Sequence, residues 1–482
     1  MKKKITVIAV LSTIILLLLG ANYICFLSPN SLFGKQQEII QETIVENVQQ
    51  ESTSEENAKS TPPVINFDEL SASKPAEEIP PVEETKEYDL QLMAVGDNLI
   101  HMGIIYSGLQ DDGTYQYDFM FDGIRDFLAI SDIKIINQET PIAGNELGFS
   151  GYPTFNSPIE IGDAIAKAGF NIVLGASNHS ADQKISGIDS MVSYWKKHPE
   201  VLLVGIHEPL EDSHADTATA SDFTDQPEDE NSTDSILLSH DKQNPRIGLL
   251  SYRDITISVI NVTYGPNYES LPKSLEARMD TLCAHDKETR RIDYTQINQQ
   301  LLDDITYAEG ISDFVIVCPH WGSEYTLTPT KYQVSFATQM TQAGADLIIG
   351  THPHVPEPVE WITSENGNKS LCYYSLGNYV STQKNTDTML EGMAWVSLHV
   401  TEDGVSINEE KTGVIPMVCH YSASPVRLKK VYMLEDYTEE LAACHGIQAE
   451  VSNFTLEYLQ STSQKVFGDW ALSPKEILNK HE

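Results

Sequence analysis

Three times between Asp313 and Ser381 the chain runs through a short apolar segment and stops at a cluster of polar residues. Val315–Cys318 leads to His320, Leu347–Gly350 leads to His352 and His354, and Tyr373–Leu376 leads to Gly377 and Asn378. Apolar runs this short, bounded by Gly and Pro, read as buried strands, and the spacing predicts a helix over 332–343 between the first two. Such a chain folds as α/β, and α/β architectures keep their chemistry at strand ends. Three histidines on two strand tips point to a metal site.

The same arrangement recurs upstream. The run LQLMAVGD ends in Gly96 and Asp97, with His101 one turn later; Ile133–Ile136 ends in Asn137, Gln138 and Glu139; FNIVLGASNH ends in Asn178 and His179. Helical spacing is read over 121–128, 160–168, 185–198 and 292–308. RIGLLSYRD and ISVINVTYG add two strands, MAWVSLHV and GVSINEEKTGVIPMVCHY read as hairpin strands, and 437–481 reads as mostly helical.

Composition sets the surroundings of this domain. The net charge is −39, and half of the excess sits in two segments: residues 35–89 hold 14 acidic and 4 basic side chains, and 208–242 hold 11 and 1. That field repels nucleic acid and anionic lipid. The six cysteines form no CxxC pair, so neither a thiolate metal site nor a disulfide framework is expected. Lys2–Lys4 precede an uncharged run over 5–27, which meets the roughly 20 residues a spanning helix needs. A cleaved signal competes with an uncleaved anchor, but Gly20-Ala21-Asn22 is a poor cleavage site. The expected organisation is a membrane anchor over 1–34 with its N-terminus cytoplasmic, and an acidic disordered linker over 35–88. A folded domain follows over 89–400, with a disordered acidic insertion at 206–246. A C-terminal hairpin and helical extension over 401–482 packs on that domain. The protein would then be a single-pass cell-membrane protein with its folded part extracellular.

Asp97, Glu139, Asn178, His179, His320, His352 and His354 offer carboxylate, amide and imidazole donors, which suit Mn, Fe, Zn or Co. Two such cations about 3.5–4 Å apart can clamp the oxygens of a phosphoryl group, and an uncoordinated His can protonate a leaving group. Taken singly, each residue has a bland reading: an Asp after a strand is often a turn or helix cap, and His179 could cap the turn before Asp182. His198, His207, His214, His240, His285, His399, His420, His445 and His481 lie away from the tips and read as surface groups.

The segments AVGDNLIH, INQETPI, GYPTFNSP, GFNIVLGASNH, PHWGSEY, GADLIIGTHPHVPEPVE and YSLGNYV, in this order from Leu90 to Ser381, resemble the CapA family of poly-γ-glutamate capsule-synthesis proteins, related to calcineurin-like metallophosphatases. The resemblance implies a four-layer α/β/β/α sandwich carrying a dinuclear-type site. It implies Asp97, Glu139, Asn178, His320, His352 and His354 as metal ligands and His179 as the acid. His101, Asn137, Trp321, Glu324, Tyr325 and Asn378 would contact substrate, with Trp321 partly core and Tyr325 equally readable as core. Two departures stand out. The usual Asp-x-His motif is absent, His coming only at His101, and Glu139 stands where a bridging Asp is usual.

Two functions fit. One is an extracytoplasmic metal-dependent hydrolase or transferase acting on a phosphoester or polymer linkage. The other is a non-catalytic accessory subunit that guides an anionic polymer through an export complex, alongside other capsule-synthesis membrane proteins.

Overall fold

A computed structural model describes residues 87–210 and 235–480. The expected membrane helix, almost all of the linker and the middle of the acidic insertion lie outside the described residues. Within them, no helix is long and apolar enough to cross a membrane.

The chain opens with four parallel neighbours, β1 (Tyr88–Asn98), β2 (Ile133–Asn137), β3 (Ile172–Leu174) and β4 (Leu202–Val204). It then crosses to a second sheet through β5 (Leu237–His240), β6 (Gly248–Tyr252) and β7 (Ile255–Thr263). A small hairpin, β8 (Cys283–His285) with β9 (Ile292–Ile297), stands apart. The second sheet is completed by β10 (Phe314–His320), β11 (Leu347–Ile349), β12 (Pro356–Thr363) and β13 (Lys369–Leu376), in the order β12-β13-β11-β10-β7-β6-β5. The chain then returns to the first sheet as β14 (Asn378–Val380), β15 (Leu390–Thr401), β16 (Gly404–Ile407), β17 (Gly413–Ala423) and β18 (Val426–Met433). That sheet runs β18-β17-β15-β1-β2-β3-β4, with β14 parallel to β1 and β16 on β15.

Side chains alternate across each strand, so each sheet feeds two apolar layers. Leu92, Ala94, Ile133 and Ile135 of the first sheet pack with Ile257, Val259, Ile316 and Leu347 of the second. Their alternates face helices. Met93, Val95 and Ile136 meet Ile161 and Ile165 of α1 (Ile159–Ala168) and Ile188, Met191 and Trp195 of α2 (Lys184–Trp195). On the far side, Val315, Val317 and Ile348 meet Leu301 and Ile305 of α3 (Gln299–Glu309) and Phe336 and Met340 of α4 (Lys331–Ala343). Helix α4 starts at a capping box: the Thr330 hydroxyl accepts from the Gln333 amide N–H, and the Gln333 side chain accepts from that of Thr330.

Four expectations need correction. The region expected to be a disordered insertion, 206–246, is ordered at both ends: Ile206 bridges Met279, and 237–240 form β5 paired antiparallel with β6. The helix expected over 292–308 begins only at Gln299, because the Asn298 side chain accepts from the Gln300 N–H and caps it there, leaving β9 extended. The C-terminal hairpin is part of the first sheet, since β17 pairs along β15. Finally, three histidines read as surface groups are buried: His207 faces Asp280 at 3.2 Å, His420 faces the Tyr437 hydroxyl at 2.7 Å, and His445 donates to the Cys419 carbonyl.

Candidate metal centre

Each donor-bearing residue ends a strand or follows one, and close backbone contacts bring those ends together. A Cβ on Gly96 would lie 1.9 Å from the Gly377 carbonyl oxygen. With glycine there, the Asp97 N–H donates to that same oxygen at 2.9 Å, and Asp97 sits in register with Asn378 of β14. Gly350 is held just as closely, with the Tyr374 carbonyl oxygen 2.0 Å from where a Cβ would be. After it, His352 and His354 take positive φ values of 96° and 61°, a left-handed backbone that residues with a Cβ rarely adopt. Across the sheets, the Asn261 amide accepts from the Ala176 N–H and donates to the Cys318 carbonyl, fastening β3 to β10.

Asp97, Glu139, Asn178, His320, His352 and His354 converge, all buried. One atom each of Glu139, His352 and His354 lies within 4.8 Å of the other two. The donors fall into two groups. In the first, His354 Nδ1 is 3.0 Å from Asp97 Oδ2, 3.1 Å from Asn378 Oδ1 and 3.7 Å from Glu139 Oε2. In the second, His320 Nε2 is 3.0 Å from Asn178 Oδ1 and 3.9 Å from Glu139 Oε1. Donors that share a cation at about 2.1 Å and 90–110° stand about 3.0–3.4 Å apart, so most of these spacings match a ligand shell.

Neither Glu139 oxygen has a hydrogen-bond partner, and His352 Nδ1 has none. Leaving a buried carboxylate without partners is costly unless a cation answers it. The donor set, oxygens with imidazole nitrogens and no thiolate, fits divalent Mn, Fe, Zn or Co.

Electrostatics follow the same split. Burial pushes the Glu139 carboxyl well above the carboxylate range against the pull of His354. Burial and neighbouring imidazoles hold His320 and His352 well below the usual histidine value. Burial opposes a charge on His354 too, but Glu139 and Asp97 outweigh it and raise that imidazole to about 9.

The remaining expected residues divide. His179 is buried at the edge, its Nδ1 2.8 Å from Asp182 Oδ2 and its ring edge-on to Phe155. His101 is half-buried against Phe155, its Nδ1 without a partner, and burial lowers it to about 4. Asn137 is buried, and its Nδ2 donates to Asp97 Oδ1 at 2.8 Å. Asn378 packs on His354. Trp321 is core, 1% exposed, its indole N–H donating to the Tyr374 carbonyl. Glu324 is exposed, and Tyr325 is exposed with its ring 6.0 Å from that of His354.

Sequence reasoning missed the role of Asp182, although its spacing of three from His179 was a signal. It also missed Thr351, whose hydroxyl is 3.0 Å from His320 Nδ1 and orients that ring. Tyr264, with its ring 4.8 Å from that of His352, carried no signal.

Comparison with known proteins gives a consistent family. The model of the family described as bacterial capsule synthesis protein PGA_cap matches residues 91–221 and 238–383. The PGA biosynthesis protein CapA of Bacillus subtilis strain 168 is 39% identical over 126 residues, 26% of this chain and 30% of the relative. The capsule biosynthesis protein CapA of Bacillus anthracis is 25% identical over 337 residues, 69% of each. The matched region thus spans under a third of the first relative and about two thirds of the second. A crystal structure of a hypothetical protein from Thermus thermophilus aligns with 68% of this chain and 99% of its own, at 14% identity and a TM-score of 0.34, a likeness too loose to carry fold or function.

Proposed function

Because this chain belongs to the bacterial capsule synthesis protein family PGA_cap, we propose that it is a membrane-tethered protein of capsule or poly-γ-glutamate synthesis or export. In this reading it has a four-layer metallophosphatase-like sandwich and a divalent-metal centre that hydrolyses a phosphoester or polymer linkage outside the cell. Support for the tether is the uncharged run over 5–27 behind three lysines. The observation that carries the hydrolase reading is Glu139. Its two oxygens are buried without hydrogen-bond partners, and they face two separate donor groups, one around His354 and one around His320.

Divalent cations held by Asp97, Glu139, Asn178, His320, His352 and His354 would supply Lewis acidity at the scissile centre. The chain's own residues do the rest. Asp182 Oδ2 accepts from His179 Nδ1, which orients the ring so that Nε2, when the ring carries both protons, can give one to a departing oxygen or nitrogen. The same Asp182 oxygen accepts from the Phe155 N–H, so one carboxylate sets both the acid and the aromatic ring beside it. Tyr325 and Tyr152, both exposed, flank the approach and offer faces to a substrate chain.

The test is elemental analysis of the purified protein followed by phosphodiester turnover. Two divalent cations per chain are expected, with a rate that falls at least about 100-fold in His179→Ala. A loaded protein with no turnover refutes the hydrolase and leaves the accessory, polymer-guiding role.

A further inference from the structure

The first donor group lacks the histidine of the usual Asp-x-His motif. His101 stands apart from this group, its ring edge-on to Phe155 with centroids 5.4 Å apart. A different side chain reaches the same place. Asn378 is completely buried on β14, beside Asp97 in the parallel register. Its Nδ2 lies 2.9 Å from Gln383 Oε1, 3.1 Å from the Thr388 carbonyl and 3.2 Å from the His354 carbonyl. All three are acceptors, so the amide can face only one way, and Oδ1 is turned to His354 Nδ1.

That nitrogen therefore has three oxygens around it, from Asp97, Asn378 and Glu139. A single ring N–H cannot serve three acceptors well. Three oxygens and one nitrogen converging on shared space is instead the pattern of donors that surround a cation.

We propose that Asn378 is a metal ligand, its side-chain oxygen standing in for the missing histidine and making the first cation position oxygen-rich. The proposal rests on the metal-centre reading above. It has a chemical consequence. The first position offers oxygens of Asp97, Glu139 and Asn378 with one nitrogen of His354. The second offers oxygens of Glu139 and Asn178 with a nitrogen of His320, and His352, whose ring centroid lies 4.8 Å from that of His320 and 5.7 Å from that of His354, adds a second imidazole on this side. Oxygen-rich sets favour hard cations such as Mn2+ and Mg2+, and imidazole-rich sets favour Zn2+. The two positions are unlike, and the first holds Mn2+ more readily than the second does.

The experiment counts Mn2+ and Zn2+ bound to the full chain by equilibrium dialysis and mass spectrometry, and titrates Mn2+ by electron paramagnetic resonance. Wild type, Asn378→Leu, Asn378→Asp and Asn178→Leu are compared. Wild type is expected to hold two cations. Asn378→Leu should keep the Zn2+-preferring one and bind Mn2+ at least about tenfold more weakly, while Asn178→Leu loses the other. Asn378→Asp, which keeps an oxygen at that position, should bind Mn2+ at least as tightly as wild type. Two cations with unchanged Mn2+ affinity in Asn378→Leu would overturn the assignment and leave the metal centre standing. So would a single cation that depends on Asn178 and not on Asn378. A wild type that holds no cation overturns both. If circular dichroism shows Asn378→Leu unfolded, Asn378→Asp decides, and weaker Mn2+ binding there overturns the assignment.

Discussion

Glu357→Gln should stabilise this protein at neutral pH and do almost nothing in acid. Glu357 is completely buried near the start of β12. Its Oε2 accepts from Gln333 Nε2 at 2.6 Å, while Oε1 has no partner. Burial pushes the carboxyl up to about 8 from 4.5, against the opposing pull of the Gln333 bond. Between those two values the native protein holds a proton that the unfolded chain has lost. Stability therefore falls as pH rises across this window, by about 1.4 kcal/mol per pH unit at its steepest, and is flat below and above it. From pH 5 to pH 7 the loss is roughly 2–3 kcal/mol. Glutamine has the shape of the neutral acid, keeps an acceptor for Gln333 and cannot ionise. The assay is urea unfolding followed by circular dichroism at pH 5, 6 and 7 with a chelator present, so that cation binding adds no pH dependence. The variant's advantage should grow by roughly 2–3 kcal/mol across that range. A constant offset between the two proteins at all three pH values would refute the reasoning.

Two further substitutions probe how the site is held. Gly96→Ala places a methyl 1.9 Å from the Gly377 carbonyl oxygen, a backbone atom that cannot swing aside; a loss of about 3 kcal/mol or more in thermal or urea melts is expected, together with one cation, and unchanged melting would contradict the crossing described. Asp182→Asn keeps the shape beside His179 but removes the charge; turnover should fall at least about tenfold, given that an orienting carboxylate behind a catalytic histidine is worth up to about 10⁴ elsewhere, with metal content unchanged. A parallel loss of metal would make Asp182 structural.

How legible all this was in the sequence depends on how local each cause is. Strand tips were visible because a buried strand writes itself as a short apolar run, and the polar residue after it needs no partner to be noticed. Hence Asp97, Glu139, Asn178, His320, His352 and His354 could be picked out and are found together. Asn378 was seen as a tip, but its role turns on the register of β14 against β1, a pairing across 281 residues that no local pattern records. Trp321 reads as a pocket side chain that is also partly core. Only the position of the Tyr374 carbonyl turns its indole into the core. Strand β5 was hidden for the opposite reason: it is an edge strand with half-exposed side chains, next to an acidic run, so neither periodicity nor composition marked it. His420 and His445 read as surface because a buried histidine differs from an exposed one only in its tertiary partners, here the Tyr437 hydroxyl and the Cys419 carbonyl.

Several of the costs in this fold meet at one edge, and that coincidence is itself an argument. Among the described residues, six other than glycine have positive φ: Lys184, Arg253, Arg290, Tyr325, His352 and His354. The last three surround the donor groups. Such backbone costs of order 1–3 kcal/mol each and persists only where the surroundings impose it. Beside them lie the unpartnered Glu139 carboxyl and the tight crossings at Gly96 and Gly350. A chain selected for stability alone would relax the histidine backbone and replace Glu139 with an apolar residue of similar size. Each of these costs instead buries or aims a donor atom. A cation bound between Glu139 and the histidines would offset the buried charge and turn the strain into ligand geometry. Stability alone leaves their coincidence around these donor atoms unexplained.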